Sequence, residues 1–143
     1  MSDEQQRVLA DAVWATLIRL VFDHRDSWKR AVIEESGLPF SRIRVLRRLE
    51  GAPLTVKQLA YAATVDAPAA TVAVNDLEQL GLVVREVDPD NRRSKLVSLT
   101  EAGRELLMRL DRVADPAPAA LAALSADDLE TLHGIVSRLG FTG

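Results

Sequence analysis

Leu82-Val-Val-Arg-Glu-Val-Asp-Pro-Asp-Asn-Arg-Arg-Ser-Lys-Leu-Val-Ser-Leu99 is the stretch in which the hydrophobic period changes. Leu82 to Val87 has strand composition, and Lys95 to Leu99 alternates with period 2. Between them, Asp88 to Ser94 is rich in turn formers and charge. The pattern predicts a β-hairpin with a charged tip.

Working upstream, Asp66 is a good N-cap for a helix of about residues 67–80, closed by Gly81. Thr55-Val-Lys-Gln58 fits a capping box that starts a shorter helix containing Leu59 and Ala60. Before it, Phe40 to Glu50 places Phe40, Ile43, Leu46 and Leu49 inward, with Arg42, Arg44, Arg47 and Arg48 largely outward. Those arginines read either as a solvated, ion-paired face or as a ledge for phosphates. Two short helices, a tight turn and a hairpin compose a winged helix-turn-helix, whose second helix can enter a major groove. The same order also suits an α+β core that binds nothing.

The flanks are helical. Asp3 to Glu35 repeats apolar residues at helical spacing (Leu9, Val13, Leu17, Leu20, Val21, Trp28, Val32) and stops at Gly37 and Pro39. One helix of that length would run ~45 Å, so part of it needs a partner surface unless it breaks near residues 23–26. Downstream, Thr100 caps a helix carrying Leu106, Leu107, Leu110 and Val113, which Pro116 and Pro118 interrupt. Ser125 caps a last helix with Leu129, Leu132, Ile135, Val136 and Leu139 inward, ended by Gly140. The fold class is therefore mostly α with a small β-hairpin. Its divisions are 1–37, 38–100 and 101–143.

Composition narrows the function. The chain has 143 residues, no cysteine, and a net charge of −3. Residues 38–100 carry 9 basic and 7 acidic side chains, against 5 and 7 in 1–37 and 4 and 7 in 101–143. A weakly basic centre between acidic ends is compatible with DNA. The absence of cysteine excludes a disulfide framework and thiol-ligated metals. The polar start and the lack of a long apolar run predict a soluble, cytoplasmic chain with no membrane partner.

An enzyme is disfavoured. His24 and His133 are the two histidines, and neither a Gly-x-Ser-x-Gly elbow nor a Gly-rich phosphate loop occurs. His24, among Asp23, Arg25 and Asp26, has poor metal-ligand spacing. No catalytic residue, metal or cofactor is expected.

From Leu59-Ala60 through Leu77-Glu-Gln-Leu-Gly-Leu-Val83 to Leu99-Thr-Glu-Ala-Gly103, the chain resembles the MarR (multiple antibiotic resistance regulator) family. The resemblance covers some 45 central residues closely; the flanking helices match in number and length. It implies a prokaryotic homodimer with N- and C-terminal dimerisation helices around a winged helix. It also implies a repressor of a pseudo-palindromic duplex, released by small, often aromatic, ligands. The lack of cysteine excludes the family's peroxide-sensing branch.

By this resemblance, Arg93, with Arg92 beside it, is the minor-groove arginine of the wing. Asn91 stands where the family usually has an aspartate that orients that arginine, with Asp88 and Asp90 as substitutes. The recognition helix departs from the pattern, because Ala67 to Gln79 contains no Lys or Arg. Thr71, Asn75 and Ala70 are its candidate readers. Asn75 pairs with adenine or bonds a neighbouring backbone group, and Ala70 meets a thymine methyl. The N–H groups of Ala69 and Ala70 are candidates for a phosphate. Asp76 and Glu78 repel phosphate unless they point inward or toward arginines. Lys57 and the wing then carry most of the affinity, with relaxed sequence readout. The competing class is a dimeric small-molecule sensor or protein-interaction module with little specific DNA binding. For an aromatic ligand, Trp14, Phe22 and Trp28 line a cleft or belong to the core.

Overall fold

The computed structural model describes residues 1–140. Helix α1 spans Asp3–His24 and α2 spans Asp26–Ser36. The long N-terminal segment thus breaks at Arg25, inside the expected window. Helix α1 begins at Ser2, whose hydroxyl accepts from the Gln5 N–H while the Gln5 side chain accepts from Ser2. This capping box was not anticipated. At 22 residues, α1 is ~33 Å long, and not one of its residues is buried.

The winged helix follows. Helices α3 (Phe40–Arg47), α4 (Val56–Ala63) and α5 (Ala67–Gln79) precede strands β2 (Val83–Asp88) and β3 (Asn91–Leu99). A two-residue strand β1 (Leu54–Thr55) completes an antiparallel sheet of order β1-β3-β2, pairing Leu54 with Val97 and Thr55 with Leu96. The hairpin is tighter than its sequence suggests. Its turn is reduced to Pro89-Asp90, and β3 already pairs at Asn91, opposite Asp88. Arg92 and Arg93 therefore stand on a strand rather than in a loop.

The local caps have physical causes written in the sequence. Thr55 and Gln58 form the expected reciprocal box, with the Gln58 N–H donating to Thr55 Oγ1 at 3.1 Å. Asp66 Oδ1 accepts from the Ala69 N–H at 2.7 Å. At the other end of α5, Leu82 N donates to the Leu77 carbonyl and Gly81 N to that of Glu78, a Schellman closure with Gly81 at φ +74°. Leu82 then accepts from Thr100 N at 3.1 Å, and Thr100 Oγ1 donates to the Gly81 carbonyl at 2.6 Å. The same hydroxyl accepts from Gly103 N, capping α6 (Glu101–Asp111). A Cβ at position 103 would collide with the Leu82 carbonyl oxygen. The Leu-Gly-Leu and Leu-Thr-Glu-Ala-Gly segments thus lock the hairpin base to both flanking helices.

By packing, the chain divides into two units, Met1–Val113 and Ala114–Gly143. Val32 of α2 and Leu106, Leu107 and Leu110 of α6 share one core with Leu46, Leu59, Val74, Leu77 and Val97. The second unit holds α7 (Ala119–Ala122) and α8 (Ala126–Ser137), the latter capped by Ser125. Its Leu129, Ile135, Val136 and Leu139 were expected inward but are exposed in the single chain. The helical period is right, yet this chain alone supplies no cover for that face.

Candidate nucleic-acid interface

Helix α5 buries Ala70, Ala73, Val74 and Leu77. Its opposite side exposes Pro68, Ala69, Thr71, Val72 and Asn75. Ala70 is 0% exposed, so its methyl cannot reach a thymine. The phosphate cradle expected at Ala69 and Ala70 is also occupied. Ala69 N donates to the Asp66 carboxylate and Ala70 N to the Asp66 carbonyl at 3.0 Å. The anionic cap that starts the helix uses the donors an anion would need.

Thr71 Oγ1 donates back to the Ala67 carbonyl at 3.0 Å, on a residue that is itself exposed. Val72, 52% exposed, is an apolar residue on the outer face that sequence reasoning missed. Its signal was available, since residue 72 falls three before Asn75 on one helical stripe. Tyr61 of α4, 90% exposed, is a second residue that sequence reasoning missed.

The two acids of α5 are neutralised by arginines from other elements. Arg42 of α3 donates from Nη2 to Asp76 Oδ2 at 2.8 Å. Arg85 of β2 grips Glu78 with Nε at 3.3 Å and Nη2 at 3.0 Å. The hydrogen bond from Arg85 is the main cause holding the Glu78 carboxyl below its ordinary value of 4.5, and Glu78 raises Arg85 in return. The same Nη2 donates to Asn75 Oδ1 at 2.7 Å. Asn75 therefore bonds a side chain, where a backbone partner was one of its two expected fates. Arg47 joins Glu50 at 2.9 Å and Asp111 at 2.7 Å, which favours the ion-paired reading of α3.

At the wing, Arg92 and Arg93 are exposed, and among the described residues neither guanidinium has an acidic partner. Asn91 supports Arg93 through the backbone, accepting from its N–H at 3.2 Å while donating to Ser94 Oγ at 3.3 Å. Asp88 turns onto the Asp90 N–H at 2.9 Å. Among the described residues, neither Asn91, Asp88 nor Asp90 aims an arginine side chain: Asn91 and Asp88 turn onto the hairpin's own backbone and Ser94. Lys57 is exposed on the first turn of α4.

His24 Nδ1 lies 2.8 Å from the Leu20 carbonyl, and the described residues hold no cluster of three or more potential metal ligands. No helix among the described residues is long and apolar enough to cross a membrane. Trp28 packs edge-on to Phe40 at 5.8 Å beside an open hollow of about 260 Å³ that Arg44, Arg47 and Arg48 also line. Trp14 and Phe22 are not part of it and stand exposed on α1.

A reading helix, a hairpin with unpaired cations and a sheet that ties them together define the winged helix-turn-helix class. Residues 36–94, the winged-helix segment, match the model of the MarR family.

Solved structures share the fold across most of the chain. A mutant of S. aureus MepR has a TM-score of 0.72 at 21% identity, with 88% of this chain and 95% of that one covered. A mutant of E. coli MarR gives 0.72 at 23%, covering 87% and 94%. A second MepR mutant from S. aureus, bound to an oligodeoxyribonucleotide, gives 0.64 at 21%, covering 88% and 94%.

Proposed function

We propose that this chain is a homodimeric, DNA-binding transcription regulator of the prokaryotic cytoplasm, a ligand-responsive repressor with relaxed sequence readout. One observation carries the reading. Arg92 and Arg93 face solvent without acidic partners, whereas both acids of α5 are held by arginines. The α5 face is thus free of unpaired negative charge, and cationic donors flank it at the wing. The DNA-bound MepR relative supports the same use of this fold. Thr71, Asn75, Val72 and Ala69 would face the major groove, Arg92 and Arg93 the minor groove, and Lys57 a phosphate. With no cation on α5 itself, discrimination between sequences is modest.

The dimer follows from unpartnered apolar surface. Val8, Leu9, Val13, Trp14, Val21 and Phe22 are exposed along α1, more than a lone soluble chain normally leaves uncovered. Two-fold symmetry then calls for a pseudo-palindromic site with half-sites about one helical turn apart. The effector is a small aromatic molecule, for which the hollow beside Trp28 and Phe40 offers two rings.

The test is fluorescence anisotropy of the purified protein on duplex DNA from upstream of its own gene, against a scrambled duplex, at two salt concentrations. Preference for the upstream DNA, weakened by salt and lost in Arg92→Ala/Arg93→Ala, is expected. Equal, weak and steeply salt-dependent binding to both duplexes would overturn it, leaving the sensor or protein-interaction module.

A further inference from the structure

Asn75 is the polar side chain at the middle of the exposed α5 stripe, and its amide has a fixed orientation. The atom facing Arg85 is oxygen because a guanidinium has donors and no acceptor. At 2.7 Å this is a short, charge-assisted bond. Arg85 is in turn anchored by two hydrogen bonds to Glu78, one turn along the same helix. The Arg85 side chain is 26% exposed, so it is itself part of the surface beside Asn75. Helix and strand together hold the amide from one side.

Resting on the DNA-binding reading above, we propose that Arg85 is a specificity-determining residue, converting Asn75 from an adenine reader into a donor that selects guanine. An asparagine reads adenine by accepting from N6 and donating to N7. Here Oδ1 already accepts from a cation, and an adenine amino group approaching it would also meet the guanidinium, donor against donor. Nδ2 and the remaining guanidinium protons form a surface of donors. Guanine, which presents the adjacent acceptors O6 and N7 in the major groove, complements that surface. Asn75 and Arg85 thereby supply in two side chains what one arginine on the helix would otherwise provide.

Affinity selection from a randomised duplex library, run in parallel on the parent and on Asn75→Ala, identifies the base position that depends on Asn75. Guanine is expected there, with about tenfold preference over adenine. Replacing that guanine by 7-deazaguanine, which lacks the N7 acceptor, should lower parent affinity. The paired variant Arg85→Met/Glu78→Gln removes the clamp without stranding a charge, and circular dichroism checks that it folds. At the same position it should gain adenine. Adenine in the parent, or an unchanged guanine preference in the paired variant, would overturn the proposal. So would an even loss of affinity across all sequences in Asn75→Ala, which would place the amide on a phosphate. A parent that enriches no sequence fails at the earlier step, overturning the DNA-binding reading and this proposal with it.

Discussion

Single residues carry two kinds of constraint in this fold, one steric and one electrostatic. Gly103 packs where a methyl group would meet the Leu82 carbonyl oxygen, an atom already fixed by the bond from Thr100 N. Gly103→Ala should therefore destabilise the protein by about 1–3 kcal/mol despite the better helix propensity of alanine. Urea denaturation measures it, and an unchanged midpoint would refute the close approach. The electrostatic constraint is Glu78, whose carboxyl Arg85 holds below 4.5. A depressed carboxyl contributes stability that is complete above its unfolded value and lost as pH falls through its folded value. The stability gap between parent and Glu78→Gln should thus be largest at neutral pH and close progressively below about pH 4.5. A gap that widens in acid would contradict this pairing.

Helix and strand boundaries were readable where a few neighbouring residues decide them. Thr55 with Gln58, Asp66, Thr100 and Ser125 each satisfy a backbone donor within three residues, so their positions in the chain suffice. Asp66→Ala should cost about 1 kcal/mol through the lost cap of α5, read as a lowered thermal midpoint with little change in native circular dichroism. Strand β1 was not readable, because Leu54 and Thr55 become a strand solely by pairing with β3, forty residues away. The same holds for the interface. Exposure of Val72 and burial of Ala70 depend on which stripe of α5 meets the core. The arginine partners of Asp76 and Glu78 come from α3 and β2. The exposed position of the wing arginines on a hairpin was legible from local sequence, while the Asn75–Arg85 contact needed a strand to fold back beside a helix.

For the molecule as a whole, α1 is the least self-sufficient part, with an apolar side and no buried residue. Leu9→Asp/Val13→Asp, one turn apart on that side, should convert a species of twice the chain mass into a monomer in sedimentation velocity. Retention of the dimer would move the interface elsewhere. The hairpin has a mechanical consequence as well. Strand β3 runs continuously from Asn91 to Leu99, with Val97 completely buried, and Arg93 lies four residues, ~13 Å, beyond that fixed point. Such a strand is a lever with its fulcrum in the core. A tilt of about 5° at Val97 swings the wing arginines by roughly 1 Å, enough to spoil a hydrogen bond. A repacking among the core leucines of α6, which share the core with Val97, would therefore be amplified along the arm toward the exposed arginines.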